Sequence, residues 1–193
     1  MDDPELYPRF VADRLLEALD DTPVVLIHGP RQSGKTTLAR WVGDARGYLY
    51  LSFDDGPTLA AASADPVGFV ADLPERVVLD EVQRAPQLFT PLKTAVDRAR
   101  RPGRFILTGS ANVLLLPTLS DSLAGRMEVL RLHALTQCEL AGRRPDFLTR
   151  VFVEGFEVAS GPRLGAELLE RVAAGGYPAA LAQPSHRRRA AWY

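Results

Sequence analysis

The chain has 193 residues, 23 of them Lys or Arg and 24 Asp or Glu, giving a net charge of −1 and a pI near 6.3. That length accommodates one large domain, or one domain and part of a second, with a core burying roughly 70% of the unfolded surface, and its balanced charge gives no general electrostatic case for nucleic acid. The single cysteine, Cys138, excludes an intrachain disulfide and points to a reducing compartment, and no apolar run reaches the length of a membrane span.

The N-terminal M-D-D-P-E is acidic and carries no apolar run of the signal-peptide kind, so a soluble cytoplasmic protein is expected. Phe10, Val11, Leu15, Ala18 and Leu19 lie on one face with charges between them, which predicts a short amphipathic helix. The stretch from Val24 to Arg40 then reads V-V-L-I-H-G-P-R-Q-S-G-K-T-T-L-A-R. Gly29, Gly34, Lys35 and Thr36 fit G-x-x-x-x-G-K-[ST], the phosphate-loop pattern. Val24 to Ile27 reads as a buried strand and Thr36 to Trp41 as the start of a helix, so strand, loop and helix follow in the required order.

These residue types suit a triphosphate for definite reasons. Glycines let backbone N–H groups turn inward and approach the phosphates closely. The following helix adds its unpaired N–H groups and its positive dipole end. The expected ATP-binding loop is Gly29, Pro30, Arg31, Gln32, Ser33, Gly34, Lys35, Thr36 and Thr37, with Lys35 reaching the β- and γ-phosphates and the Thr36 hydroxyl on Mg2+. Lysine occurs only at positions 35 and 93, so Lys35 is not one of many interchangeable surface lysines.

Downstream, Tyr48 to Phe53 predicts a second strand, ended by Asp54, Asp55, Gly56 and Pro57. Asp65 and Pro66 form an N-cap and first-turn proline for a helix carrying Val67, Phe69 and Val70. Val77 to Leu79 is a third strand that delivers Asp80 and Glu81 at its carboxyl end, on the side of the sheet where ligands bind in open α/β folds. Asp80 is the expected Mg2+-linked carboxylate, and Glu81 is placed to orient and deprotonate an attacking water. The plainer alternative is a solvated acidic pair at a strand end.

Leu88, Phe89, Leu92, Ala95, Val96 and Ala99 predict a helix crossing back over the sheet, stopped by Pro102-Gly103. Phe105 to Leu107 supplies a fourth strand running into Thr108, Gly109, Ser110, Ala111 and Asn112. A hydroxyl there, Ser110 in particular, can sense the γ-phosphate or simply cap the next helix. Met127 to Leu132 alternates as a fifth strand, and Thr136 to Glu139 has capping-box spacing. A helix through Leu164, Leu168, Leu169 and Val172 ends at Gly175-Gly176. The Pro-, Gly- and Arg-rich segment between these helices sets expected limits of 1–140 for an ATPase domain, 141–161 for a linker and 162–193 for the start of a helical second domain.

The chain resembles a bacterial and archaeal family of AAA-superfamily ATPases in which the ATPase domain precedes a second domain of unknown function, thought to be like restriction-type nucleases. The matching stretches are G-P-R-Q-S-G-K-T-T-L-A-R from Gly29, V-L-D-E-V-Q from Val78, I-L-T-G-S-A-N from Ile106, S-L-A-G-R from Ser122 and G-G-Y-P-A-A-L from Gly175. Ala134-Leu135-Thr136 departs from the family's usual proline-leucine-serine turn. The resemblance implies an α/β P-loop NTPase sandwich of three layers, with a parallel sheet in the order 5-1-4-3-2 followed by a small helical segment. It implies a Mg2+-dependent ATPase, and because family members are longer, a truncated or shortened chain. Arg126, which closes S-L-A-G-R, is the expected arginine finger acting on a neighbouring subunit's ATP, and so implies a homo-oligomer.

Two other readings stay open: a small-molecule kinase using the same loop, and a nucleotide-binding interaction module with little turnover. No N-K-x-D sequence occurs, which disfavours a guanine nucleotide. His28, His133 and His186 are scattered and only one cysteine is present, so a zinc site has no ligand set. The runs Arg98 to Arg101 and Arg187 to Arg189 offer a nucleic-acid backbone some positive charge, although runs of this kind are usually solvated faces.

Overall fold

The computed structural model describes residues 6–110, 113, 123–155 and 164–193. Ala111, Asn112 and Ser122 of the matching motifs therefore lie outside the described residues. The chain divides into two compact units, 11–133 and a second whose described parts are 6–10, 134–155 and 164–193.

In the first unit, α1 (Val11–Asp21) leads into β1 (Val24–Gly29), α2 (Lys35–Ala45) and β2 (Leu49–Ser52). Next come α3 (Gly56–Ala64), α4 (Pro66–Ala71), β3 (Val77–Asp80), two 3-10 turns at Val82–Arg84 and Pro86–Leu88, α5 (Phe89–Arg98), β4 (Phe105–Ser110) and β5 (Met127–Arg131). The five strands form one parallel sheet in the order β2-β3-β4-β1-β5. This is the order the family resemblance implies.

Burial of both sheet faces explains the continuous apolar runs, since a parallel sheet is covered by its crossover helices on each side. Val24, Leu26, Val77, Leu79, Phe105 and Leu107 point to one face, where Phe89, Leu92 and Val96 of α5 join them. Val25, Ile27, Val78 and Ile106 point to the other, against Leu15 and Leu19 of α1 and Leu38 and Val42 of α2. Each such fully buried Leu, Ile or Phe contributes about 1.5–3 kcal/mol of transfer free energy.

The strands also start in step. Val24 is opposite both Phe105 and Met127, and Val77 is opposite Leu49 and Phe105. The fourth residue of each strand therefore falls in one row on the α1–α2 face, where Ser52, Asp80 and Thr108 continue into Ile27 and Leu130. That polar half-row is the foundation of the candidate site.

A local reading of the chain misses α3. Asp54 to Pro57 reads as a turn, yet the Asp55 side chain accepts from the Thr58 N–H and Pro57 sits in the first turn, so the same residues open a helix. Asp65 caps α4 from the Gly68 N–H as the sequence predicts.

The second unit is helical: α6 (Gln137–Leu140), a turn at Phe147–Thr149 that widens into a π-turn at Arg150–Glu154, α7 (Ala166–Ala174), α8 (Pro178–Leu181) and α9 (His186–Trp192). The division between units falls at Ala134, before the expected limit at 140, because Leu135 and α6 are tied to distant parts of this second unit. Leu135 N–H donates to Gly176 O at 2.7 Å, and a Cβ on Gly176 would lie 2.1 Å from Leu135 O, so only glycine fits. Tyr177 packs against Trp192 and Tyr193, with ring centroids 5.3 and 6.2 Å away.

Glu139 organises α6. Its carboxylate closes the capping box with Thr136 and also accepts from the Phe10 N–H at 2.9 Å and from Arg9. Burial pushes its carboxyl up, but the backbone N–H groups of Thr136 and Phe10, together with the Arg9 guanidinium, outweigh that and hold it below the ordinary carboxylate value. A lowered folded pKa contributes stability in full above the unfolded value of 4.5 and loses it as the pH falls through the folded value. Replacing Glu139 with Gln is expected to cost about 2 kcal/mol near neutral pH, in keeping with hydrogen bonds to a charged group. Unfolding followed against pH should show the wild-type and variant curves converging below the folded pKa.

Candidate active site

Gly29 ends β1 where the chain must turn sharply beside β5. A Cβ there would stand 2.1 Å from Leu132 O, so the start of the loop admits only glycine. Gln32 and Gly34 adopt left-handed backbone conformations, φ 61° and 95°, which fold the N–H groups between them into a concave cradle. Gly34 caps α2 without a side chain, leaving the first N–H groups of the helix for an anion. Ser33 is fully buried and its hydroxyl donates to Pro30 O at 3.0 Å, which braces the loop from inside. Arg31, Gln32 and Thr37 are exposed around it.

Lys35 is 5% exposed and donates to Gly29 O at 3.2 Å and Pro30 O at 2.8 Å. Its ammonium thus rests on the loop's own carbonyls at the site where a phosphate would compete for it. Burial lowers its pKa, the carboxylates of Glu81 and Asp80 oppose that, and Arg31 adds to the lowering. His28, just before Gly29, has its pKa lowered by burial and then by Arg131, His133 and Lys35, and its Nδ1 is buried without a hydrogen-bond partner among the described residues.

Asp80 is 3% exposed. It is satisfied by hydroxyls from three other elements: Thr36 of α2 donates at 2.9 Å, Tyr50 of β2 at 2.8 Å, and Thr108 of β4 in a short bond. Ser52 lies at the 3.5 Å limit. Burial, followed by the hydrogen bond to Asp80 and its charge, pushes the Tyr50 phenol up to about 12, so it is a neutral donor at physiological pH. Thr108 Oγ1 also accepts from the Glu81 N–H at 3.1 Å, so one hydroxyl orders both members of the acidic pair.

Glu81 has a left-handed backbone, φ 60° and ψ 45°, and its carboxylate accepts from Gln83 Nε2. Ser110, at the end of β4, is in register with Gly29. The acidic pair is reached by Thr108, two residues earlier on the same face. Of the residues singled out in the sequence, the fold gathers Gly29 to Thr37, Asp80, Glu81 and Ser110 at the carboxyl edge of the sheet.

Arg126 is elsewhere. It precedes the first residue of β5, at the amino edge of the sheet, roughly 16 Å from the loop along five strand residues. There its guanidinium makes a two-pronged contact with Asp97, at 3.0 Å for Nη2 to Oδ2, and holds the Asp97 carboxyl below its usual range. Tyr50, the double role of Thr108 and Gln83 carry no local sequence signal that ties them to the acidic pair. The two-residue alternation places Tyr50, Ser52 and Asp80 on one face, but only strand order makes them neighbours.

The donor set fits Mg2+: a threonine hydroxyl and a carboxylate are hard oxygen ligands that leave positions for phosphate and water. No group of three or more His, Cys, Asp or Glu that could hold a metal ion occurs among the described residues. No helix among them is long and apolar enough to cross a membrane.

A family described as an AAA domain matches residues 21–141. An uncharacterized protein of Mycobacterium tuberculosis and one of Mycobacterium bovis are each 43% identical over 141 residues, covering 72% of this chain and 32% of their own length. The match thus spans about a third of these curated relatives. Among solved structures, the Walker-type ATPase PABY2304 of Pyrococcus abyssi has a TM-score of 0.58 at 19% identity, with 97% of this chain and 71% of that one covered. AMPPCP-bound DnaA from Aquifex aeolicus has a TM-score of 0.51 at 18% identity, with 84% and 55% covered. At these identities the structural likeness is one of fold.

Thr108→Val keeps shape and burial but removes a donor to Asp80 and the acceptor for the Glu81 N–H. It is expected to lower unfolding free energy by about 2 kcal/mol, because a buried charged group loses a partner. Urea denaturation checks this, with Thr108→Ser retaining most of the stability.

Proposed function

Because the chain belongs to the family described as an AAA domain, we propose that it binds ATP with Mg2+ at the carboxyl edge of the sheet and hydrolyses the terminal phosphate. The observation that carries this reading is the convergence of Lys35, Thr36, Asp80 and Glu81 on one end of β1 and β3, joined by the Thr36–Asp80 hydrogen bond. Backbone N–H groups within the loop Gly29 to Thr37, from every residue but Pro30, hold the phosphates, and Lys35 leaves the carbonyls of Gly29 and Pro30 to offset charge on the β- and γ-oxygens. Thr36 and Asp80 would hold a Mg2+ ion, whose charge would offset that developing on the phosphates. Glu81 orients a water and accepts its proton as the water oxygen attacks the γ-phosphorus and the bond to the β-phosphate oxygen breaks, leaving ADP and phosphate. Ser110, beside Gly29, senses the γ-phosphate.

A second reading, a nucleotide-binding module with little turnover, draws support from the Gln83 contact, which occupies one oxygen of the Glu81 carboxylate. A kinase reading is weaker, since a base beside the metal carboxylate suits a water acceptor.

ATP titration and phosphate release measured on the same sample test the proposal. Lys35→Ala should lose at least tenfold in ATP affinity, and turnover with it, with the fold intact by circular dichroism. Glu81→Gln should keep ATP affinity while turnover falls by about 10²-fold or more, since it removes a base and no phosphate contact. ATP affinity unchanged in Lys35→Ala contradicts the site. Tight binding with no wild-type turnover favours the second reading.

Arg126 belongs to this proposal only in trans. As a finger on a neighbouring subunit's ATP, in a homo-oligomer, it would exchange the Asp97 carboxylate for phosphate oxygens. Fingers of this kind contribute about 10³–10⁵ in rate. A mixture of Arg126→Ala subunits, which keep the loop, with Lys35→Ala subunits, which keep the arginine, should then recover activity that neither shows alone. Full activity of Arg126→Ala would leave it a structural partner of Asp97.

A further inference from the structure

We propose that Tyr50 is a positioning residue for the Mg2+ site, holding the Asp80 carboxylate in the one orientation that serves the metal. This inference rests on the ATP–Mg2+ reading above. Tyr50 lies on β2, opposite Val78, while Asp80 lies two residues farther along β3 on the same face. Strands about 4.8 Å apart and a two-residue rise of about 6.6 Å separate such diagonal neighbours by about 8 Å, a span that the length of a tyrosine bridges. The ring therefore runs along the sheet toward its carboxyl edge, and the phenol donates to Asp80 Oδ2 at 2.8 Å.

The ring is held in turn. The guanidinium of Arg40 stands 4.8 Å from its centroid, a cation–π contact. Arg40 follows Thr36 by four residues, one turn along α2, so both project from the same side of that helix. Thr36, Asp80, Tyr50 and Arg40 thus close a circuit in which the helix carrying one metal ligand clamps the residue that fixes the other.

The circuit gives Tyr50 a task that its neighbours do not share. Thr108 donates to Oδ1, Thr36 donates to both oxygens, at 2.9 and 3.2 Å, and Ser52 is at the 3.5 Å limit. Once the Thr36 oxygen serves the metal, its hydroxyl proton can satisfy only one carboxylate oxygen well. Rotation of the carboxylate about its own axis is then resisted at Oδ1 by Thr108 and at Oδ2 by Tyr50. Loss of the phenol oxygen leaves one of these two anchors, and partners outside the ligand shell of this kind typically govern metal affinity by about 10–100-fold.

Tyr50→Phe removes that oxygen while keeping the ring and its contact with Arg40. The test titrates Mg2+ against binding of a methylanthraniloyl-ATP probe by wild type and variant, followed by fluorescence, with a parallel probe titration in EDTA. The expected result is a tenfold or greater rise in the Mg2+ concentration at half-effect, with affinity in EDTA unchanged within twofold. An equal Mg2+ requirement in the two proteins overturns the inference. So does a loss of the same size in EDTA and in Mg2+, which would mark Tyr50 as a packing residue. A wild type that binds no probe, or binds it without regard to Mg2+, overturns the ATP–Mg2+ reading itself and is told apart from the other outcomes without the variant.

Discussion

The carboxylate of Asp80 is the constraint on which the first unit depends. A carboxylate 3% exposed has lost its water and needs hydrogen bonds in exchange, and among the described residues those bonds come from hydroxyls and not from a basic side chain. Three hydroxyls do so, from α2, β2 and β4. They reach Asp80 together only if β2, β3 and β4 run parallel, adjacent and in step, and only if α2 lies over that face. An acidic residue at this depth therefore tests the whole arrangement, because a slip of one residue in any strand would turn a hydroxyl to the opposite face. A lysine or arginine partner would satisfy the charge with less geometry, but it would also compete with a cation for the same oxygens.

Conformational cost is concentrated around the same point. Gln32 and Glu81 are the non-glycine residues with positive φ among those described, one in the phosphate loop and the other next to Asp80. A side chain held in the left-handed region costs about 1–2 kcal/mol, and such costs persist where surrounding structure enforces them. For Glu81 the enforcement is visible: its N–H is held by Thr108 and its carboxylate by Gln83. Helix capping tells a parallel story. Asp55, Asp65, Thr136 and Ser185 cap α3, α4, α6 and α9 with side-chain oxygens, whereas α2 begins at Gly34 with none. The helices starting after Leu88, Gly165 and Tyr177 likewise have no side-chain cap, and of these uncapped starts that of α2 is the one beside Lys35, where an anion can take the role.

Much was legible in the chain because it depends on short spacing. The phosphate loop, its flanking strand and helix, the acidic pair after an apolar strand, the caps at Asp65 and Thr136 and the five strands are each set within about ten residues. Backbone geometry, cap chemistry and alternation act over that range. The strand order was also anticipated, although by family resemblance, since periodicity alone says nothing about which strands are neighbours. The α3 helix escaped notice because Asp55, Gly56 and Pro57 serve equally as a turn or as a helix start, and the choice is made by what Leu59 and Ala62 pack against.

The sequence by itself determined where the phosphate-loop pattern and the acidic pair stand, since Gly29, Gly34, Lys35, Thr36 and Asp80 carry their backbone freedom, charge and oxygen donors wherever they are placed. Only the tertiary structure decided which side chains complete the set. Tyr50 precedes Asp80 by 30 residues and Thr108 follows it by 28, and no local rule links either to a carboxylate that far along the chain. The link arises when three parallel strands start in step, which sets Thr108 in the row of Asp80 and Tyr50 two residues back on the same face, with α2 laid over them. The same folding placed Arg126 beside Asp97 at the opposite edge of the sheet. Motif chemistry is a property of residues, whereas the distances between motifs belong to strand order and register, which are settled by burying both faces of the sheet at once.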